Sequence, residues 1–161
     1  MLGACRAPFV ALSSKHLLRH ITFMNRQDLQ QLSRTRAREA KVLLDGGSFP
    51  GSYYLMGYAV ECAIKSAIAK QTRRYDFPNK RLASDSYKHD LKSLMQTAGL
   101  WAEFDASIQS NTSLSDNWAV VKDWSETSRY IVTVSEVQAK DLYAACTART
   151  HGLLAWLKKY W

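Results

Sequence analysis

Residues 53–70, YYLMGYAVECAIKSAIAK, restrict the fold more than any other part of this chain. The run is made of small, aromatic and aliphatic side chains, broken by the carboxylate of Glu61 and, one turn later, the ammonium of Lys65. A helix apolar almost all the way round has no face that water can take, so other helices must enclose it. Its two internal charges and its many alanines suit a core helix better than a membrane span. An unpaired buried charge is costly. Glu61 and Lys65 are therefore either a structural pair or part of a site.

Helix signals recur along the chain. Asn25 is a fitting N-cap, with Asp28 three residues on and able to reach back. Leu29, Leu32, Ala40, Leu43 and Leu44 then form an apolar stripe that stops at Gly46 and Gly47. Pro50 suits a helix start, and the second helix is predicted over about 51–74. On it Tyr54, Tyr58, Glu61 and Lys65 fall on one line at helical spacing. Residues 76–88 hold Pro78, Asn79 and Asp85 without periodicity and are predicted to be a loop. A third helix is predicted from His89 and Asp90 to Gly99, followed by a piece with Trp101, Phe104 and Ile108 on one side. A break is expected over 111–115, then a short helix with Trp118, Val121 and Trp124. Residues 125–134 are expected to be irregular or extended, and 130–134 is the one β-like run. Ser135 and Gln138 form a capping box for a last helix whose apolar face runs from Leu142 to Leu157. The expected fold is all-α, an antiparallel four-helix bundle with short additional helices.

At 161 residues the chain suits one domain with a core that needs no staples. Cys5, Cys62 and Cys146 are isolated, and no CxxC or Cys/His cluster exists, so neither a metal nor a cofactor is expected. This cysteine usage, with no membrane segment, suits the cytoplasm. Serine-hydrolase, P-loop and dinucleotide motifs are absent. The net charge is +8; Arg6, Lys15 and Arg19 lie in the first 23 residues, which hold no acid, and without them 19 cations against 14 acids leave +5. A basic balance permits nucleic-acid contact without requiring it. Residues 1–23 share their composition with transit peptides. They are expected to be a disordered N-terminal extension, removable by proteolysis, ahead of a helical domain over 24–161.

Several segments match a known pattern: REAKVLL in the first helix, the turn GSFPGSYY, the block MGYAVECAIKSAIAK, then HDLKSLMQTAGL, and the closing AKDLYAACTARTHGLLAWLKKYW. Together, over roughly 24–161, they resemble the HEPN family (higher eukaryotes and prokaryotes nucleotide-binding domain), with GYAVECAIK the most specific part. The resemblance implies a helical bundle, often a homodimer. It implies either an RNase or an inactive module that binds RNA or a nucleotide. In prokaryotes it also implies a minimal nucleotidyltransferase partner in a toxin–antitoxin pair. The family's RNase signature, an Arg and a His with four to six residues between them, is missing. Arg81 and His89 have seven residues between them, Arg149 and His151 have one, and Arg129 has no His close downstream. Metal-independent cleavage needs a base for the 2′-hydroxyl and a cation for the phosphate. Without their usual carrier, a non-catalytic module is expected.

The candidate ligand-binding residues are Glu61, Lys65, Arg129, Tyr130, Tyr58 and His89. Glu61 and Lys65 have the favourable i, i+4 order and either pair across a wet groove or orient a ligand cation. Tyr54 and Tyr58 can stack a base or pack in the core. Arg129 is placed by the resemblance near the family's polar site, as a phosphate contact, against a plain salt bridge to Glu126 or Glu61. His89 is expected to cap or anchor a loop. Two alternatives stand beside the binding module. One is an active RNase using a non-standard set such as Glu61, Arg129 and His89; the other is an interaction scaffold with no ligand.

Overall fold

The computed structural model describes residues 24–72 and 79–161. The extension expected over 1–23 lies outside the described residues. Among those described, every regular element is helical: α1 (Arg26–Asp45), α2 (Phe49–Gln71), α3 (Lys80–Ser86), α4 (Leu91–Thr97), α5 (Trp101–Ser110), α6 (Thr112–Val121), a 3-10 turn (Glu126–Tyr130), α7 (Glu136–Thr147) and α8 (Leu153–Leu157).

Helix α1 begins with a capping box: the Asn25 side chain accepts from the Asp28 backbone N–H, and Asp28 reaches back to the Asn25 N–H. It ends in a Schellman turn. Gly47 takes φ +75°, its N–H reaches the Leu44 carbonyl, and the Ser48 N–H reaches that of Leu43. The turn sends α2 back antiparallel to α1. Two buried hydroxyls fix the register, Ser33 donating to the Ala59 carbonyl at 2.7 Å and Ser52 to that of Ala40 at 2.8 Å. Both pairs are centred on Gly46. Small residues at these points let the two backbones come close enough for such bonds.

Helix α2 is the enclosed element that its composition requires. Met56, Ala59, Val60, Ala63 and Ile64 are fully buried. Helices α1, α4, α7 and α8 and the 3-10 turn all pack on it. Gly57 is where the Trp124 ring lies flat on the helix: a Cβ there would fall 2.2 Å from the indole. The same core continues to α5, α6 and α8, where Phe104 meets Trp118 and Trp156 edge-on at 5.1 and 4.9 Å.

Five expectations are corrected. The loop predicted over 76–88 contains α3, because the Asn79 side chain caps the Leu82 N–H at 3.1 Å. Helix α2 stops at Gln71, where Thr72 leaves helical dihedrals and Gln71 Nε2 donates to the Ala98 carbonyl. The break over 111–115 shrinks to Asn111 alone, whose side chain caps α6 at the Leu114 N–H. The long last helix is two helices. Its backbone turns at residues 148–152, and a Cβ at Gly152 would fall 2.4 Å from the Ala148 carbonyl oxygen. The stretch expected to be irregular or extended over 125–134 holds the 3-10 turn at Glu126–Tyr130, and from residue 131 it is without regular structure.

Candidate functional site

Glu61 sits in the middle of α2 with a side chain only 1% exposed. Such a carboxylate needs partners, and it has two. Lys65 Nζ donates to Oε1 at 2.7 Å from one turn down the same helix. His89 Nδ1 lies 3.0 Å from Oε1 and 3.1 Å from Oε2. The histidine arrives from the residue before the α4 cap. Asp90, not His89, caps α4, through the Ser93 N–H. His89 therefore anchors its loop to α2 rather than a helix end. Its ring is 42% exposed and Lys65 is 19% exposed, so the cluster spans the boundary between core and water.

Glu61 and Lys65 open onto a groove of about 860 Å³ between α2 and α3. Tyr58, Cys62 and Ile68 of α2 also line it, with Leu82 and Tyr87 across from them. Burial raises the Tyr58 hydroxyl's pKa, and the neighbouring Cys62 and Glu61 raise it further, with Arg36 of α1 opposing. Burial, then Glu61, pushes the Cys62 thiol up to about 12. Cys62 is thus a protonated packing group at neutral pH and not a nucleophile.

Further up α2, Tyr54 stacks on Tyr58 with ring centres 6.0 Å apart and planes within 4°, and on Trp124 at 6.3 Å. Arg129, in the 3-10 turn, is exposed and lies 4.8 Å over the Tyr130 ring. Tyr130, and after it Tyr54, stabilise its charge. No ion pair to Glu126 or Glu61 is formed among the described residues. Tyr54 precedes Glu61 by seven residues, about 10 Å along the helix axis. The structure therefore gathers Glu61, Lys65, His89 and Tyr58, and keeps Arg129 and Tyr130 at the other end of the tyrosine line.

A second groove, about 720 Å³, lies between α1 and the corner joining α7 to α8, and sequence reasoning missed it. Arg34, Arg38, Arg149, Lys158 and Trp161 line it. The i, i+4 spacing of Arg34 and Arg38 was a readable signal on one wall. The other wall comes from residues that only the break at Gly152 brings round. His151 faces elsewhere, with Nδ1 2.9 Å from Asn111 Nδ2.

Among the described residues no group of His, Cys, Asp and Glu could hold a metal. No helix among them is long and apolar enough to cross a membrane. Compared with family models, curated proteins and solved structures, the chain finds no match.

Proposed function

We propose that this chain is a HEPN-like module, an antiparallel bundle that binds RNA or a nucleotide in the groove beside Glu61 without cleaving it. In this proposal it is a homodimer and works with a nucleotidyltransferase-type partner, as in a toxin–antitoxin pair. One observation carries it: a buried carboxylate fixes Lys65 at the wall of an open groove that also presents the Tyr58 ring. Glu61 takes one of the three ammonium donors, which leaves Lys65 two for a phosphate oxygen. The tyrosine offers a flat face to a base.

A metal-independent RNase is the second reading, and the His89 contact favours it. Donation from Nδ1–H to both Glu61 oxygens orients the ring and leaves Nε2 as a proton acceptor on a half-exposed imidazole, the arrangement of a general base. The cation beside it is Lys65, on the same carboxylate; Arg129, the expected phosphate contact, stands apart with Tyr130.

Calorimetric titration with ATP, GTP and a short RNA, and incubation of total RNA in chelator, separate these readings. Saturable binding, weakened about tenfold in Tyr58→Ala and Lys65→Met and without cleavage, is the expected result. Cleavage lost in a folded His89→Ala variant would establish the RNase. No binding of any of the three would leave the scaffold. Light scattering tests the homodimer.

A further inference from the structure

Several cations on this protein's surface are paired with a neighbouring acid. On α1, Arg36 pairs with Glu39 and Lys41 with Asp45. On α7, Lys140 pairs with Glu136. The groove between α1 and the α7–α8 corner gathers cations with no such neighbour. Arg34, Arg38, Arg149 and Lys158 line it, no acidic side chain does, and none of the four forms an ion pair among the described residues. Arg38 has only a 3.3 Å bond to the Thr35 hydroxyl on its own helix. Arg34 lies 5.2 Å over the ring of Trp161. Four uncompensated charges in one concavity cost folding energy through mutual repulsion, and an anion in the groove relieves it.

The anion's form follows from the layout. Arg34 and Arg38 stand one turn apart along α1, about 6 Å on the axis, so they present two charges in a row. Arg149 and Lys158 face them from a separate element. A row of cations suits a repeating phosphodiester better than one phosphate. The Trp161 indole beside Arg34 offers a ring on which a nucleobase can stack, which an acidic peptide would leave unused.

We infer that this groove is a second binding surface, which holds the phosphodiester backbone and one base of a single-stranded nucleic acid. It extends the RNA branch of the function proposed above to a site remote from Glu61. The four cations and the indole address phosphate and base, so RNA and DNA of one sequence are expected to bind alike.

The test is fluorescence anisotropy of the full chain with a labelled mixed-sequence 12-nucleotide RNA, its DNA counterpart and, as competitor, poly-glutamate. Between about 50 and 200 mM salt the affinity should fall steeply. The triple variant Arg38→Ala/Arg149→Ala/Lys158→Ala, all exposed positions, should stay folded by circular dichroism. It should bind far more weakly, with the log–log salt slope smaller by about 2, at about 0.7 per lost contact. Trp161→Ala should lose about tenfold in affinity without changing the slope. Lys41→Ala, which removes a cation paired with Asp45, should bind as the parent does. Failure of the parent chain to bind, a triple variant indistinguishable from it, or displacement by poly-glutamate at equal charge would each overturn the inference. Binding lost in Tyr58→Ala but kept in the triple variant would overturn it while leaving the Glu61 groove as the RNA site.

Discussion

At Glu61 two oxygens serve a lysine and a histidine, and the two partners are not equivalent. Lys65 is mostly buried and brings a full charge, whereas His89 is nearly half exposed and can exchange its contact for water. Losing a partner of a buried charge costs more than the pair itself contributes, because the remaining charge stays desolvated. Lys65→Met should destabilise the fold by about 2 kcal/mol, below the usual cost for a fully enclosed pair because His89 and the groove remain. His89→Ala should cost under about 1 kcal/mol. Urea denaturation of both variants checks the order, and a larger loss for His89→Ala would contradict it. The buried thiols make a further prediction at this scale. Cys62 and Cys146 are enclosed and their pKa values are raised by burial, so neither forms thiolate at neutral pH. In a Cys5→Ser variant, a disulfide reagent at pH 8 should label neither thiol in the native state and both in urea.

Among the elements, α2 depends on a missing side chain. The Trp124 indole occupies the space where any Cβ at residue 57 would go, at 2.2 Å. Gly57→Ala raises helix propensity by about 1 kcal/mol yet forces the ring or the helix to move. Overpacking of this kind costs about 1–3 kcal/mol or more. The net effect should be a lower melting temperature, with Trp fluorescence shifted as Trp124, just ahead of the 3-10 turn, is displaced; an unchanged or raised melting temperature would refute this. The same position shows what the sequence could and could not disclose. That α2 is buried was legible from its composition, and both capping boxes were legible from three-residue spacings. That Trp124 lies on Gly57 was not, since they are far apart in sequence and nothing local records the contact. The break at Gly152 was missed for a related reason. Leu142, Cys146, Leu153 and Leu157 keep a helical period across it, and periodicity does not register a corner that preserves it. Of the site, the line Tyr58, Glu61, Lys65 was readable because one helix carries it. The meeting of His89 with Glu61 was not, because tertiary packing makes it.

For the whole molecule, five neutral acids point the same way. Burial, as the leading cause, raises the pKa values of Cys62, Cys146, Tyr53, Tyr58 and Tyr160 above their ordinary 9.0 or 10.0, Cys62 and Tyr160 to about 12. In each case the unfolded chain gives up its proton at a lower pH than the folded one. Their contribution to stability is therefore complete below about pH 9 and drains as pH rises toward 12, by roughly 1.4 kcal/mol per pH unit for each fully buried group. The two thiols dominate, because the tyrosines are partly exposed and solvent screens them. Net charge pulls the other way: the chain carries +8 at neutral pH, and alkali relieves that self-repulsion. The opposed signs make the measurement decisive. The urea midpoint should hold or rise from pH 7 to 8.5 and then fall by pH 10.5. Cys62→Ala/Cys146→Ala, though less stable at neutral pH from lost packing, should show a shallower alkaline decline. A parent midpoint that keeps rising to pH 10.5 would mean the thiols are not shielded from water, and with them the enclosed state of α2 and its seam with α7 would fail.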